Sequence, residues 1–274
     1  MKNAERYYSN FGEYSISEYV QERILGNPTE MERFNHLINL IPKETATLLD
    51  VGCGVGVFLH LLGIHRDIKG IGIEISDNKI SYAMEHLHVH VEKGDAGHLR
   101  FDDRCFDVVT AFEVIEHLPF GTYEDALKEI ARVAKKKIIV SVPCNEKRVF
   151  ATCPYCGTTF DSTYHLRSFS EPMMEGLFPG FIIEHIDKIG IDEIWPAPLE
   201  YMDRIRNRKK PLSEFGICPL CGYGRTATKS NSAIANSTHQ NNHVLRRMVR
   251  ALLKIVPKVK KARWLVVSYK RIEP

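Results

Sequence analysis

Apolar positions along the chain change their spacing as the sequence is read. Over residues 15–41 they recur at helical intervals: Ile16, Tyr19, Val20 and Ile24, then Met31, Phe34, Leu37, Ile38 and Ile41. Asn27-Pro28 separates the two runs, since proline lacks an N–H and suits only the start of a helix. From residue 47 the pattern becomes short apolar runs divided by amphipathic stretches. TLLDVG, IKGIGIEIS, HVHVEKGDA, FDVVTAFEVI and KKIIVSVP predict five strands. VGVFLHLLG, DNKISYAMEHL and TYEDALKEIARVA predict helices between them. Beyond Pro143, SEPMMEGLFPG predicts a helical stretch, FIIEHIDKIG a strand and RWLVVSYKRI a last strand. This alternation predicts an α/β fold: a doubly wound, mostly parallel seven-stranded sheet with helices on both faces.

The same pattern divides the chain. Residues 1–45 are expected to form an N-terminal helical cap, 46–150 a ligand-binding core, and 263–274 the final strand. Residues 151–262 would hold the remainder of the core with two insertions. One insertion includes TATKSNSAIANSTHQNNH, a tract poor in large apolar residues.

LLDVGCGVGVFL, residues 48–59, lies between a predicted strand and a predicted helix. Gly52, Gly54 and Gly56 read GxGxG, which lets the backbone turn tightly and approach a ligand with no Cβ in the way. Glu74, Asp95 and Glu113 then end the second, third and fourth predicted strands. In open α/β sheets the ligand crevice lies at those strand ends. A carboxylate there can accept from ribose hydroxyls, or from an adenine amino group.

These segments, with HLRSFS at 165–170, resemble the class I S-adenosylmethionine-dependent methyltransferases. The resemblance covers roughly residues 30–190 and the last strand, and implies a Rossmann-like fold. It implies that Gly52 and Gly54 pass under the methionine part of the cofactor and that Asp50 fixes the turn. Glu74 would hold the ribose, and Asp95 with Ala96 would flank the adenine. Cys53, Gly56, Ile75 and Glu113 complete the implied cofactor-binding set.

EVIEHL, residues 113–118, also resembles a segment of the ubiquinone-biosynthesis O-methyltransferases and of the small-RNA 3′-terminal 2′-O-methyltransferases, where E-x-x-E-H binds a metal. That implies a divalent site, Mg²⁺ or Mn²⁺, at Glu113, Glu116 and His117, with His165 as a further ligand. Glu113 and Glu116 would face the same way if a helical turn starts there. Without a metal, His117 or His165 is the candidate general base, and Glu116 belongs with them as a candidate catalytic residue.

Cys153, Cys156, Cys218 and Cys221 stand in two near-copies of one phrase, CPYCG and CPLCG. Four thiolates suit a tetrahedral Zn²⁺ with no open coordination position, hence a structural one. The zinc-knuckle insertion is expected to join two segments into one substrate-side platform. Seven cysteines, an odd number, fit a reduced cytoplasmic setting better than a disulfide framework.

Residues 243–256, HVLRRMVRALLKIV, form an amphipathic pattern with a basic face. It is expected either to pack on the domain or to lie on an anionic membrane surface at the inner face. A formal charge of +3 implies no overall field for nucleic acid. No apolar run is long enough to span a bilayer, and the N-terminus has no secretory pattern. The combined expectation is methyl transfer to the oxygen of a saccharide, glycolipid or other lipid-linked small acceptor. A metal-dependent RNA 2′-O-methyltransferase and a noncatalytic adaptor with a zinc interaction module stand as alternatives.

Overall fold

The computed structural model describes residues 16–148, 150–161, 163–194, 218, 220, 221, 223 and 257–272. The basic pattern at 243–256, the polar tract before it and residues 1–15 of the expected cap lie outside the described residues.

A helical turn, Ile16–Glu18, continues as a π-helix, Tyr19–Leu25. Asn27 then caps the helix Pro28–Asn39 (α1), accepting a hydrogen bond from the Thr29 N–H at 3.0 Å. Pro28 at the first helical position loses nothing, because that N–H would have no partner within the helix. The core alternates as predicted: β1 (Thr47–Val51), α2 (Val57–His65), β2 (Lys69–Glu74), α3 (Asp77–His86), β3 (Val91–Lys93), β4 (Phe106–Phe112), α4 (Thr122–Val133) and β5 (Ala134–Pro143). A small hairpin follows, β6 (Phe150–Thr152) and β7 (Thr159–Asp161), and then β8 (Phe181–Ile194) and β9 (Val259–Arg271). The seven strands of the main sheet run in the order β3-β2-β1-β4-β5-β9-β8. β3 to β5 are parallel, while β9 is antiparallel to both β5 and β8.

The period of two along each strand sorts side chains to two cores. Leu49, Val51, Val109, Ala111, Ile138 and Val140 face α4, packing with Leu127, Ile130 and Ala131. Leu48, Val108, Ile139 and Val266 face the other side, against Phe34, Leu37 and Ile38 of α1 and Phe58, Leu61 and Leu62 of α2. Strand order reverses between β1 and β4, so their carboxyl ends open a crevice there.

Three details differ from the sequence pattern. SEPMMEGLFPG yields one turn of 3-10 helix, Glu171–Met174, and no longer helix. Pro172, Gly176 and Pro179 within ten residues leave no room for more. β8 runs four residues past FIIEHIDKIG, and β9 begins at Val259, five residues before Trp264. Beyond the Pro143–Trp264 pairing with β5, these two strands project as a ribbon with Ile194 opposite Val259. Such a ribbon has no core face to fill, so Lys260, Lys261, Asp192 and Glu193 satisfy it, and Arg263 grips Asp192 at 2.8 and 3.0 Å.

Candidate functional site

The β1–α2 turn is built on three glycines with positive φ: 70° at Gly52, 58° at Gly54 and 80° at Gly56. A Cβ on Gly52 would lie 2.5 Å from Val114, and one on Gly56 would lie 2.6 Å from Val89. Gly54 differs, since a Cβ there would meet nothing within 4 Å. Two of the glycines are thus required by packing, and the third borders open space. Gly72 on β2 is also forced, because a Cβ would lie 2.5 Å from the Cys53 sulfur. Burial holds the Cys53 thiol well above its ordinary range, so it is a packing residue with little thiolate character.

Glu74, at the end of β2 and nearly buried, ties this turn down. Its carboxylate accepts from the N–H groups of Gly54, Ile75 and Ser76 at 2.9–3.0 Å. Asp50 accepts from the Thr110 hydroxyl at 2.7 Å, across the β1–β4 boundary. Burial pushes its carboxyl up to about 7, with the Glu74 charge adding to the effect and the Thr110 bond opposing it. Asp95 accepts from the Gly97 N–H at 2.9 Å in a tight bridge after β3, with Ala96 inside that bridge.

The chain after β4 does not continue as a helix. Glu113 takes a left-handed conformation, φ 56°, and residues 115–117 form a turn. This sends the Glu113 carboxylate toward Ser141, whose hydroxyl donates to it at 3.0 Å. Glu113 therefore lies outside the cluster of candidate ligand atoms formed by Glu116, His117 and His165, although its charge acts on Glu116. Glu116 is fully buried, and neither carboxylate oxygen has a hydrogen-bond partner among the described residues. His117 Nε2 lies 3.9 Å from Glu116 Oε1, and the His117 and His165 ring centroids are 4.6 Å apart. Candidate ligand atoms of Glu116, His117 and His165 all lie within 4.8 Å of one another. Each imidazole is oriented through its other nitrogen, His117 Nδ1 against the Tyr164 carbonyl at 3.3 Å and His165 Nδ1 against the Glu146 carboxylate. Burial, then the nearby Glu113 charge, holds the Glu116 carboxyl well above its ordinary range. Burial, aided by His165, pushes the His117 imidazole down to about 3. An imidazole that weakly basic takes up a proton poorly near neutral pH, but its neutral form is the one that binds a cation.

An uncompensated carboxylate is costly to bury. Two unpartnered oxygens facing two oriented imidazoles therefore fit a divalent cation of the oxygen- and nitrogen-preferring kind.

The sequence reading missed Arg33. On α1, its guanidinium is one-tenth exposed and forked onto Glu30 through Nε and Nη2, at 2.9 and 2.7 Å. It lies over the rings of Phe34 and Trp264, at 4.7 and 4.9 Å from their centroids. Its Nη1 is buried without a partner among the described residues, and its charge acts on both Glu113 and Glu116. Trp264 is held in turn by Gly190, φ 65°, where a Cβ would lie 2.4 Å from the indole. The available signal was a charged residue beside Phe34 on an otherwise apolar helical face, three residues after Glu30.

The four knuckle cysteines converge. Cys153 and Cys221 sulfurs are 3.7 Å apart, and those of Cys156 and Cys218 are 3.5 Å apart. All four lie within 4.8 Å of one another. A regular tetrahedron with metal–sulfur bonds of about 2.3 Å has edges of about 3.8 Å, so the set is spaced for a four-coordinate metal. The Cys153 N–H bonds the Thr158 carbonyl at 2.8 Å and the Cys218 N–H bonds the Tyr223 carbonyl at 2.8 Å, which curls each knuckle back on itself. Gly157 supplies the positive φ, 74°, that the first knuckle needs.

Comparison with known proteins agrees with this geometry. Residues 48–137 match the family described as Methyltransferase domain. Phosphoethanolamine N-methyltransferase 3 of Arabidopsis thaliana is 30% identical over 118 residues, 41% of this chain and 22% of that protein. The ubiquinone biosynthesis O-methyltransferase of Coxiella burnetii is 32% identical over 98 residues, 34% of this chain and 40% of that protein. The chain thus spans between about a fifth and two fifths of the length of these curated relatives. Among solved structures, a SAM-dependent methyltransferase from Thermotoga maritima aligns over 98% of this chain and 100% of its own, with TM-score 0.53 and 18% identity. At that identity the likeness shows the fold. The glycine turn, the acidic strand ends and the sheet order all fall within one frame: residues 48–137 match the methyltransferase-domain family, and the chain has the fold seen in S-adenosylmethionine-dependent methyltransferases.

Proposed function

We propose that the chain methylates a hydroxyl oxygen on an acceptor, using S-adenosylmethionine and a divalent cation at Glu116, His117 and His165. The observation that carries the cation is Glu116: a fully buried carboxylate whose oxygens have no hydrogen-bond partner among the described residues, beside two oriented imidazoles. When bound, S-adenosylmethionine supplies a methyl carbon activated by a positively charged sulfur. The residues of this chain do the rest by placement.

Gly54 leaves the approach to the turn open. Glu74, with two oxygens and about four acceptor positions, can exchange or share its backbone bonds for ribose hydroxyls. Asp95 and Ala96 would flank the adenine, and Arg33 Nη1, without a partner among the described residues, would suit the methionine carboxylate. Glu116, His117 and His165 would hold the cation, which would supply a Lewis acid that lowers the pKa of an acceptor hydroxyl. Holding that oxygen in line with the methyl carbon accounts for much of the rate in such displacements. Zn²⁺ is the metal that best suits the four knuckle thiols, with a structural role because the set leaves no open position.

The acceptor class we favour is a saccharide, glycolipid or other lipid-linked small molecule, because residues 243–256 have the composition of a basic amphipathic membrane-surface helix. Among the described residues no helix is long and apolar enough to cross a membrane.

The test has two arms. Calorimetry of S-adenosylmethionine binding to Glu74→Ala and Asp95→Ala should show a loss of tenfold or more, and unchanged affinity removes the cofactor assignment. Methyl incorporation into pooled hydroxylated acceptors should be abolished by EDTA and restored by Mn²⁺ or Mg²⁺. Transfer that persists in EDTA removes the divalent site.

A further inference from the structure

Glu116 and His117 come from the loop after β4, whereas His165 comes from a segment beyond the β6–β7 hairpin. Something must hold the two pieces in register. The Leu166 N–H donates to the Glu116 carbonyl at 2.8 Å, and His117 Nδ1 meets the Tyr164 carbonyl. These contacts, with the His117 N–H bonded to the Val114 carbonyl at 3.0 Å, tie the start of the turn but leave the Ile115 and Leu118 carbonyls to another donor. Arg167 supplies it. Its Nη1 donates to both the Ile115 carbonyl, at 2.9 Å, and the Leu118 carbonyl, at 2.5 Å. Those two carbonyls flank Glu116 and His117 on either side. The guanidinium lies over the Tyr123 ring at 3.9 Å and the Phe120 ring at 5.3 Å, which fixes its plane.

We infer that Arg167 is the positioning residue that holds Glu116 and His117 against His165, so that the three can take one divalent cation. The inference rests on the cation reading proposed above. Arg167 acts through the turn it clasps. Lysine would keep the charge, but it lacks the flat guanidinium that stacks on the Tyr123 ring and so holds Nη1 between the two carbonyls. The backbone bond at Leu166 and the packing of Phe169 would remain in the variant.

The experiment measures Mn²⁺ binding by electron paramagnetic resonance on the full, zinc-replete chain, beside S-adenosylmethionine calorimetry and thermal melting. Supporting cation ligands typically contribute about ten- to a hundredfold in affinity. Arg167→Lys should therefore weaken Mn²⁺ binding about tenfold or more, with S-adenosylmethionine affinity within about twofold of the parent. Tyr123→Leu, which loosens the guanidinium without removing it, should give a smaller loss of the same kind. Parental Mn²⁺ affinity in both variants overturns the role of Arg167 while leaving the cation site standing. Loss of Mn²⁺ and S-adenosylmethionine together, with a collapsed melting transition in both variants, makes Arg167 merely structural and also overturns it. If the parent binds Mn²⁺ no better than Glu116→Gln, the cation reading falls and the inference falls with it.

Discussion

Asp50 shows how one buried carboxyl can tie stability to pH. Its folded value near 7 stands above the ordinary 3.8, because burial disfavours the charge. The unfolded chain gives up this proton in mild acid while the folded chain keeps it, so the folded state binds more protons across that window. Stability from this group is therefore lost as pH rises from about 4 to about 7. Asp50→Asn should flatten the corresponding part of the melting temperature–pH curve, and an unchanged slope would place the titration elsewhere. The glycines make a second residue-scale test. Gly52→Ala meets both the left-handed backbone and Val114, whereas Gly54→Ala meets only the backbone. The first should destabilise more, and the second should cost about 1–2 kcal/mol of stability while more sharply impairing S-adenosylmethionine binding, because its methyl enters the open side. Paired melting and calorimetry would separate them. Most of these residues were legible in the sequence, because glycine spacing and acids at strand ends are local signals. Arg33 was not, because its significance depends on Trp264 arriving from a strand more than two hundred residues later.

At the scale of elements, the parallel strands were readable for a simple reason. A strand buried on both faces must be a near-continuous apolar run, and β1, β4 and the second half of β5 come close to it. The ends of β8 and β9 were hidden for the converse reason, since a ribbon with no core face carries no apolar pattern. Glu113 and Glu116 share a face only if a helical turn follows β4, and the left-handed Glu113 cancels that premise. The four-cysteine cluster connects the β6–β7 hairpin to residues 218–221, not to the main sheet. With a metal bound there, a thiol-competitive chelator should therefore expose four titratable thiols while leaving the far-ultraviolet dichroism of the core largely intact. Global unfolding on chelation would show that the knuckles carry the fold as well. Gly190→Ala should destabilise by about 1–3 kcal/mol from the left-handed backbone alone. If Trp264 sets the Arg33 guanidinium, it should also weaken S-adenosylmethionine binding.

For the whole molecule, the crevice lies at the carboxyl ends of the central strands β1 and β4, and the cysteine segments follow β5 and β8 in the chain. Residues 243–256 enter the chain between β8 and β9, so a membrane contact there would lie on the path between two paired strands. Removing 243–256 should leave cofactor affinity unchanged and reduce sedimentation with vesicles containing anionic lipid. Equal sedimentation would make that segment a packing element only.

The position of β9 has a consequence for how the protein is made. β8 emerges from the ribosome well before β9, yet among the described residues β9 is its only neighbour in the sheet and also the wall against β5. Through the synthesis of more than sixty intervening residues, the nascent chain carries two unsealed strand edges, one on β5 and one on β8. Slowing translation across 195–258 would lengthen that exposure, and the newborn chain would then depend most on chaperones after its parallel core had been synthesised.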